Sequence, residues 1–297
     1  MIAVLLACSA AAVFAAGSSL QHRAASSVPR ANASTTGLVG RLLRRPSWLL
    51  GILLSAVAFA LHVAALRHGS LTLVQPIVVS NIVFAVFVRA ALDRHLPPRQ
   101  EIAWAVVTWA GLALFIAMLE NHVPPRATHP HAPEVFVVSG AVLTVVAVAC
   151  AQRAHKAALR GFLLASAAGL LYGLTAGLIK VVIVEAASGR MAVLQHWSFW
   201  AMLVVAPNAL LLSQRAYHAA RLSITMPILN IVDVLVAITF GITVFGERIF
   251  SSPVHLVGEL TGLLLMGVGV WQLARQEEIE LHQTSATSVD QGHRTTP

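Results

Sequence analysis

The chain has 297 residues, 57% apolar and 11% charged, with a mean hydropathy of +0.77. No soluble domain of that length hides so large an apolar fraction in one core, so the composition excludes a globule and points to a bilayer. The net charge of +8 does not imply a nucleic-acid partner, because the arginines cluster between apolar runs, where membrane orientation accounts for them.

A membrane span needs about 20 mostly apolar residues, since a helix rises about 1.5 Å per residue through hydrocarbon about 30 Å thick. Nine segments qualify, near 2–19, 48–66, 71–91, 102–119, 134–151, 161–184, 192–213, 223–245 and 254–273, numbered here as spans 1 to 9. Span 1, MIAVLLACSAAAVFAAGSS, has the length of a signal peptide and a Leu-Leu-Ala-Cys ending at Cys8, but no basic residue precedes it. It therefore reads as a retained helix. Cys8 and Cys150 both lie in apolar runs and suggest neither a disulfide framework nor a zinc site. Segment 21–46 is rich in Ser and Arg, and its stretch LVGRLLRR at 38–45 reads equally as a short amphipathic surface turn or as a plain basic loop.

Between spans 4 and 5, ENHVPPRATHPHAPE places His122, His129 and His131 with Glu120 and Glu134. The spacing fits no standard metal site, so a solvated loop is the reading adopted over transition-metal capture. In span 6, Gly169, Gly173 and Gly177 recur every four residues and mark close helix packing, beside Tyr172 and Lys180. Span 7 carries Asn208, span 8 Asn230 and Asp233, and span 9 Glu259. After Arg275 the chain loses its apolar content, and the tail over 276–297 is expected to be disordered.

Loop charges orient the spans, since short loops rich in arginine and lysine stay cytoplasmic. With the N-terminus outside, the inner loops hold Arg23, Arg30, Arg41, Arg44 and Arg45, then Arg89, Arg94 and Arg99, then Arg153, Lys156 and Arg160, then Arg215 and Arg221. The outer loops hold only Arg67, Arg126, Arg190 and Arg248. Low lysine with abundant Ala, Val, Leu and Arg suggests a GC-rich bacterial genome, so the expected location is the bacterial inner membrane, with the C-terminus cytoplasmic.

An internal repeat organises these spans. LTLVQPIVVSNIVFAVFVRAALDR at 71–94 matches LSITMPILNIVDVLVAITFGITVFGER at 222–248, pairing Leu71 with Leu222 and Pro76 with Pro227, and Asp93-Arg94 with Glu247-Arg248 after a short insertion. Gly111-Leu112-Ala113-Leu114 then pairs with Gly262-Leu263-Leu264-Leu265, and the small-residue helices of spans 1 and 6 are alike, each ending in a basic residue. Spans 1–4 and 6–9 thus read as two four-helix copies, and the single helix between them inverts the second. The expected fold is an all-α polytopic membrane protein with two inverted repeats. Its first repeat covers 1–120, its outer loop and linker helix 121–158, its second repeat 159–275, and its cytoplasmic tail the remainder.

These motifs resemble the drug/metabolite transporter superfamily and its EamA-like modules. Thr72-Leu73-Val74-Gln75-Pro76, Asp93-Arg94 and the nine-span count are most similar to the NIPA-like magnesium-transporter branch. The resemblance implies alternating access between inverted repeats around a site near the midplane. EamA-like repeats have five helices where these have four, and the first copy has Leu92-Asp93-Arg94 where Gly-Glu-Arg is the pattern.

Asp233 falls at the centre of span 8, where an ionisable residue costs about 2.5–3.5 kcal/mol to insert and so faces a partner or a wet cavity. Asn230, Asp233, Ala237 and Gly241 form one helical stripe. A carboxyl there can trade a proton for a cationic substrate. The primary expectation is a secondary transporter of a small metabolite or drug-like solute, proton-coupled through Asp233, with Asn230, Asn81, Tyr172 and Asn208 as further contacts and Lys180 with Glu259 as an outer gate pair. Asp233 as a packing residue is the competing reading. A magnesium or divalent-cation permease is the alternative function, and a non-transporting scaffold or assembly factor the third. No nucleotide-binding loop and no nucleophile-base-acid set is present, so no enzyme, cofactor or resident metal is expected. Expected partners are a small-molecule or cation substrate, membrane lipids and, among oligomers, a homodimer.

Overall fold

The computed structural model describes residues 1–26, 44–119, 131–186, 192–220, 222–247 and 252–294. Among these the chain is all-helical, with no strand. The helices are α1 Ile2–Ser26, α2 Pro46–His68, α3 Leu71–Val79, α4 Asn81–Asp93, α5 Arg99–Met118, α6 Ala132–Arg153, α7 Ala157–Ala186, α8 Trp197–Ala219, α9 Leu222–Phe245 and α10 Pro253–Arg294. Nine of the described segments are long and apolar enough to cross a membrane, α3 and α4 together making one of them. The chain is a multi-pass membrane protein. Residues 38–43 of the basic stretch, Glu120, His122 and His129, and the loop arginines Arg126, Arg190 and Arg248 lie outside the described residues.

Two boundaries differ from the sequence expectation. Span 7 begins at Trp197 rather than at 192, because Ala192–Gln195 forms a 3-10 turn and His196, in extended geometry, starts the helix. The helix then carries on through Gln214–Ala219, beyond the expected end at 213. The tail expected to be disordered continues α10 as helix to Arg294. Glu277, Glu278, Glu280, Leu281 and Gln283 are strong helix formers, and a helix already nucleated in the membrane extends without a new nucleation cost.

Packing divides the chain into two compact units, Met1–Ile102 and Ala103–Pro297. The division falls inside α5, whereas the repeat boundary expected from the sequence falls after it; α5 is drawn to the second unit by its glycine face, described below.

In the first unit, α1 lies along α2 and also touches α3 and α4. Small residues allow this: a Cβ on Gly17 would sit 2.9 Å from the Gly51 carbonyl oxygen, and a Cβ on Gly69 would sit 2.7 Å from Ala3 Cβ. Ala3, Ala7, Ala10, Ala11 and Ala15 are buried, and Gln21 Nε2 donates to Ser55 Oγ at 2.9 Å. α1 thus packs closely within this unit. Ser70 caps α3 by accepting from Leu73 N at 3.3 Å. The span then breaks at Ser80, whose hydroxyl donates to Ile77 O at 2.6 Å while its own N–H turns to the same carbonyl at 3.1 Å. A hydroxyl that satisfies a carbonyl from within the turn competes with the main-chain ladder.

In the second unit, α7 is the central helix, packed against α6, α8 and α9, while α9 also meets α10. The apolar residues on the outward faces of α6 and α8, such as Val138, Val145, Leu203 and Leu211, are exposed in the way lipid-facing positions are.

Candidate functional site

Asp233 sits near the middle of α9 and is 8% exposed, buried as its place in the span requires. Two glycines of α7 position its backbone. A Cβ on Gly169 would lie 3.1 Å from Asp233 N, and one on Gly173 would lie 2.7 Å from Asp233 O and 2.7 Å from Val236 Cβ. Gly177 continues the contact against the ring of Phe240, which meets Phe136 of α6 edge to face at 4.8 Å. The two backbones touch over more than two turns because α7 presents no side chain along that line.

Tyr172, one residue before Gly173, lies in the field of Asp233 and within hydrogen-bonding reach of Ser213 on α8. Tyr217, about one turn further along α8, lies in turn in the field of Tyr172. Ser213 is buried and donates its own hydroxyl proton to Leu210 O at 2.7 Å, so toward Tyr172 it offers lone pairs. Ser213 escapes sequence reasoning because it is the last residue of the expected span, and Tyr217 because it sits among the polar residues of SQRAYHA beyond it, where only the longer helix carries it.

Of the other expected contacts, Asn230 is half-buried one turn before Asp233, and Ala237 and Gly241 continue the same buried stripe. Asn208 is not brought to this cluster: it lies on the exposed side of α8 and spends its amide on Val204 O at 2.8 Å, whereas Ala209, Leu212 and Ser213 form the buried side. Asn81 is half-buried at the start of α4 in the first unit, directly after the Ser80 break.

Lys180 and Glu259 are both buried, at 2% and 1% exposure. Glu247, which follows α9 and is also buried, acts electrostatically on Lys180. Gly246 takes a left-handed conformation, φ 64°, its N–H bonding Ile242 O and that of Glu247 bonding Gly241 O, both at 3.1 Å. The bond from Gly246 N–H to the carbonyl four residues back is that of an αL helix ending, and it leaves Glu247 just past the end of α9.

The helix that precedes the linker and the last helix meet through their matched residues. A Cβ on Gly111 of α5 would lie 2.7 Å from Gly262 O and 2.6 Å from Met266 N; one on Gly262 of α10 would lie 2.7 Å from Gly111 O and 2.7 Å from Phe115 N. The spacing that pairs Leu71 with Leu222 pairs Gly111 with Gly262 and Phe115 with Met266, so the contact of 111 with 266 is answered by that of 115 with 262. Thr108 meets Gly269 at one end of the crossing and Met118 meets Gly258 at the other, which makes the two helices antiparallel.

The chain is 24% identical over 281 residues to an uncharacterised protein of Corynebacterium glutamicum, a match covering 93% of this chain and 95% of the relative. No family model matches it. No solved structure matches it either.

Proposed function

We propose that the protein is a secondary transporter that moves a small metabolite or drug-like solute across a bacterial membrane by alternating access, with Asp233 as the proton-coupling group. The observation that carries this reading is a buried carboxyl at mid-span, in the residue whose backbone is gripped by Gly169 and Gly173 and whose charge acts on Tyr172. Buried acids at that depth are costly and are retained where ions or substrates pass.

The reciprocal crossing of α5 and α10 supports the inverted repeat on which alternating access rests. Equivalent residues that contact one another across antiparallel helices have the pattern of a local two-fold axis perpendicular to both helices. Transport follows from such a fold when one repeat rocks against the other. The divalent-cation alternative draws less support, because the cluster offers one carboxylate with hydroxyls, and a hard cation takes several oxygens, preferably carboxylates.

Reconstitution in liposomes tests the proposal. An imposed pH gradient is expected to drive solute movement that alters internal pH, and Asp233→Asn is expected to abolish it with the protein still folded. Full coupled flux through Asp233→Asn would defeat the assignment.

A further inference from the structure

Glu185 and His196 meet where α7 ends and α8 begins, about three turns beyond Gly173 and its contact with Asp233. Glu185 is the last residue but one of α7, and its two carboxylate oxygens are engaged differently. Oε2 accepts a hydrogen bond from the hydroxyl of Ser198, a fully buried residue in the first turn of α8. Oε1 lies 3.7 Å from His196 Nδ1, with the carboxylate side chain 18% exposed and the imidazole 43%. That distance is too long for a hydrogen bond, so a neutral imidazole gains little from Glu185, whereas an imidazolium is attracted through its charge. His196 starts α8 in extended geometry and does not cap the helix with its own side chain, so its ring is spent on α7 instead. The carboxylate beside Ser198 in turn brings negative charge to the first turn of α8, where a helix favours it. The intervening turn is tied to the same point: His196 N–H bonds Val193 O at 3.2 Å, and Trp200 Nε1 donates to Leu194 O at 3.0 Å. Holding His196 therefore holds Ala192–Gln195 as well.

We propose that Glu185, His196 and Ser198 form a proton-binding clasp, in which a proton on His196 fastens the start of α8 and its 3-10 turn to the end of α7. Loss of that proton loosens the turn, while the Ser198 hydroxyl keeps its bond to Glu185. An imidazole changes charge between about pH 5 and 8, so the clasp works near neutrality. The loop charges of the sequence assign this end of α7 to the outside, which makes the acidity of that side the quantity it reads. Other ionisable groups stand on the elements packed here. α7 carries Lys180, more than a turn before Glu185 and in the field of Glu247, which follows α9. α6 runs antiparallel to α7, with Gly140 against Leu174 and Phe136 against Phe240, so it opens at this end with His131 and Glu134. The 3-10 turn and α8 as far as Leu212 carry none among the described residues. The clasp is independent of Asp233 and of the transport reading.

A spin label on the turn tests it, carried by Leu194→Cys, an exposed position, in the full-length chain with Cys8→Ala and Cys150→Ala, in lipid nanodiscs. The ratio of immobilised to mobile label is expected to fall about two- to fivefold from about pH 5 to about pH 8, the range for an ion pair this exposed. His196→Gln and Glu185→Gln are each expected to flatten that response. Glu185→Gln keeps an oxygen for Ser198, which guards against a folding defect. His196→Lys, charged at both pH values, is expected to keep the immobilised ratio high at about pH 8. Asp233→Asn is expected to leave the response unchanged, which separates the clasp from the transport site. A label that ignores pH without these substitutions would overturn the proposal. So would a response that survives either glutamine substitution, or one that disappears with His131→Gln.

Discussion

The third and eighth spans begin alike, with Leu71 and Pro76 in one and Leu222 and Pro227 in the other, and then diverge. The third breaks at Ser80 into α3 and α4, while the eighth runs unbroken as α9. Both contain a proline, so proline is not the cause. The difference is the serine, which back-bonds to Ile77 O where the second copy, with Ile231 at that spacing, has no hydroxyl. The tightened turn brings the first copy to its end one residue sooner, and the left-handed residue there is Arg94, φ 57°, against Gly246 in the second. The acid-arginine pairs are therefore not in register: Asp93 precedes the left-handed residue and Glu247 follows it. Once that one-residue shift is included, Asn81 falls opposite Asp233. Under the proposed repeat, a neutral amide and an acid hold equivalent places, and only one of the two can carry a proton.

A second shared device separates the units further. Each unit sets a cation near the end of another helix: Arg23 of α1 donates to Leu92 O of α4 at 2.7 Å, exposed, and Lys180 of α7 stands in the field of buried Glu247 after α9. A cation at a helix C-terminus is favourable in either setting. Burial is what makes the second one costly to disturb.

The largest expected effect concerns the amide and the acid. Asp233→Asn is expected to abolish proton-coupled flux in proteoliposomes, whereas Asn81→Ala is expected to leave coupling intact and alter rate alone; loss of coupling in both would make the copies functionally equal. Next come the cations. Lys180→Met leaves Glu247 buried without this neighbour and is expected to cost about 3 kcal/mol by denaturant titration, with Lys180→Met combined with Glu247→Gln costing less. Arg23→Met, which removes one exposed hydrogen bond, is expected to cost about 1 kcal/mol. Equal costs for Lys180→Met and Arg23→Met would erase the distinction drawn from burial.

The glycine contacts follow. Gly173→Ala must push α9 away and is expected to destabilise by about 2 kcal/mol and to reduce coupled flux, since the atom displaced is Asp233 O. Gly111→Ala is expected to cost a similar amount at the α5–α10 crossing; a neutral result would show that the crossing relaxes freely. The smallest effects lie at the helix ends. Gly246→Ala is expected to lose about 1 kcal/mol and Arg94→Gly to gain up to about as much, because a side chain in the left-handed region is strained where glycine is not. Thermal midpoints in detergent check both signs.

Much of this was legible in the residues themselves. Nine apolar runs separated by arginine-rich loops require helices in a bilayer, because backbone groups in lipid must be satisfied within each segment. The Gly169-Gly173-Gly177 stripe announces a close contact, and Asp233 its own burial. Other features are not written along the chain. That the stripe closes on Asp233 itself, that Lys180 answers to Glu247, that Asn208 faces outward while Ser213 faces in, and that α5 joins the second unit through Gly111 all depend on which helix lies beside which. Periodicity specifies the face a helix hides, and hydropathy the depth at which it sits. Neighbours are chosen by tertiary packing, in which backbones approach wherever glycines on two helices fall at the same level, and that coincidence exists only once both helices are in place.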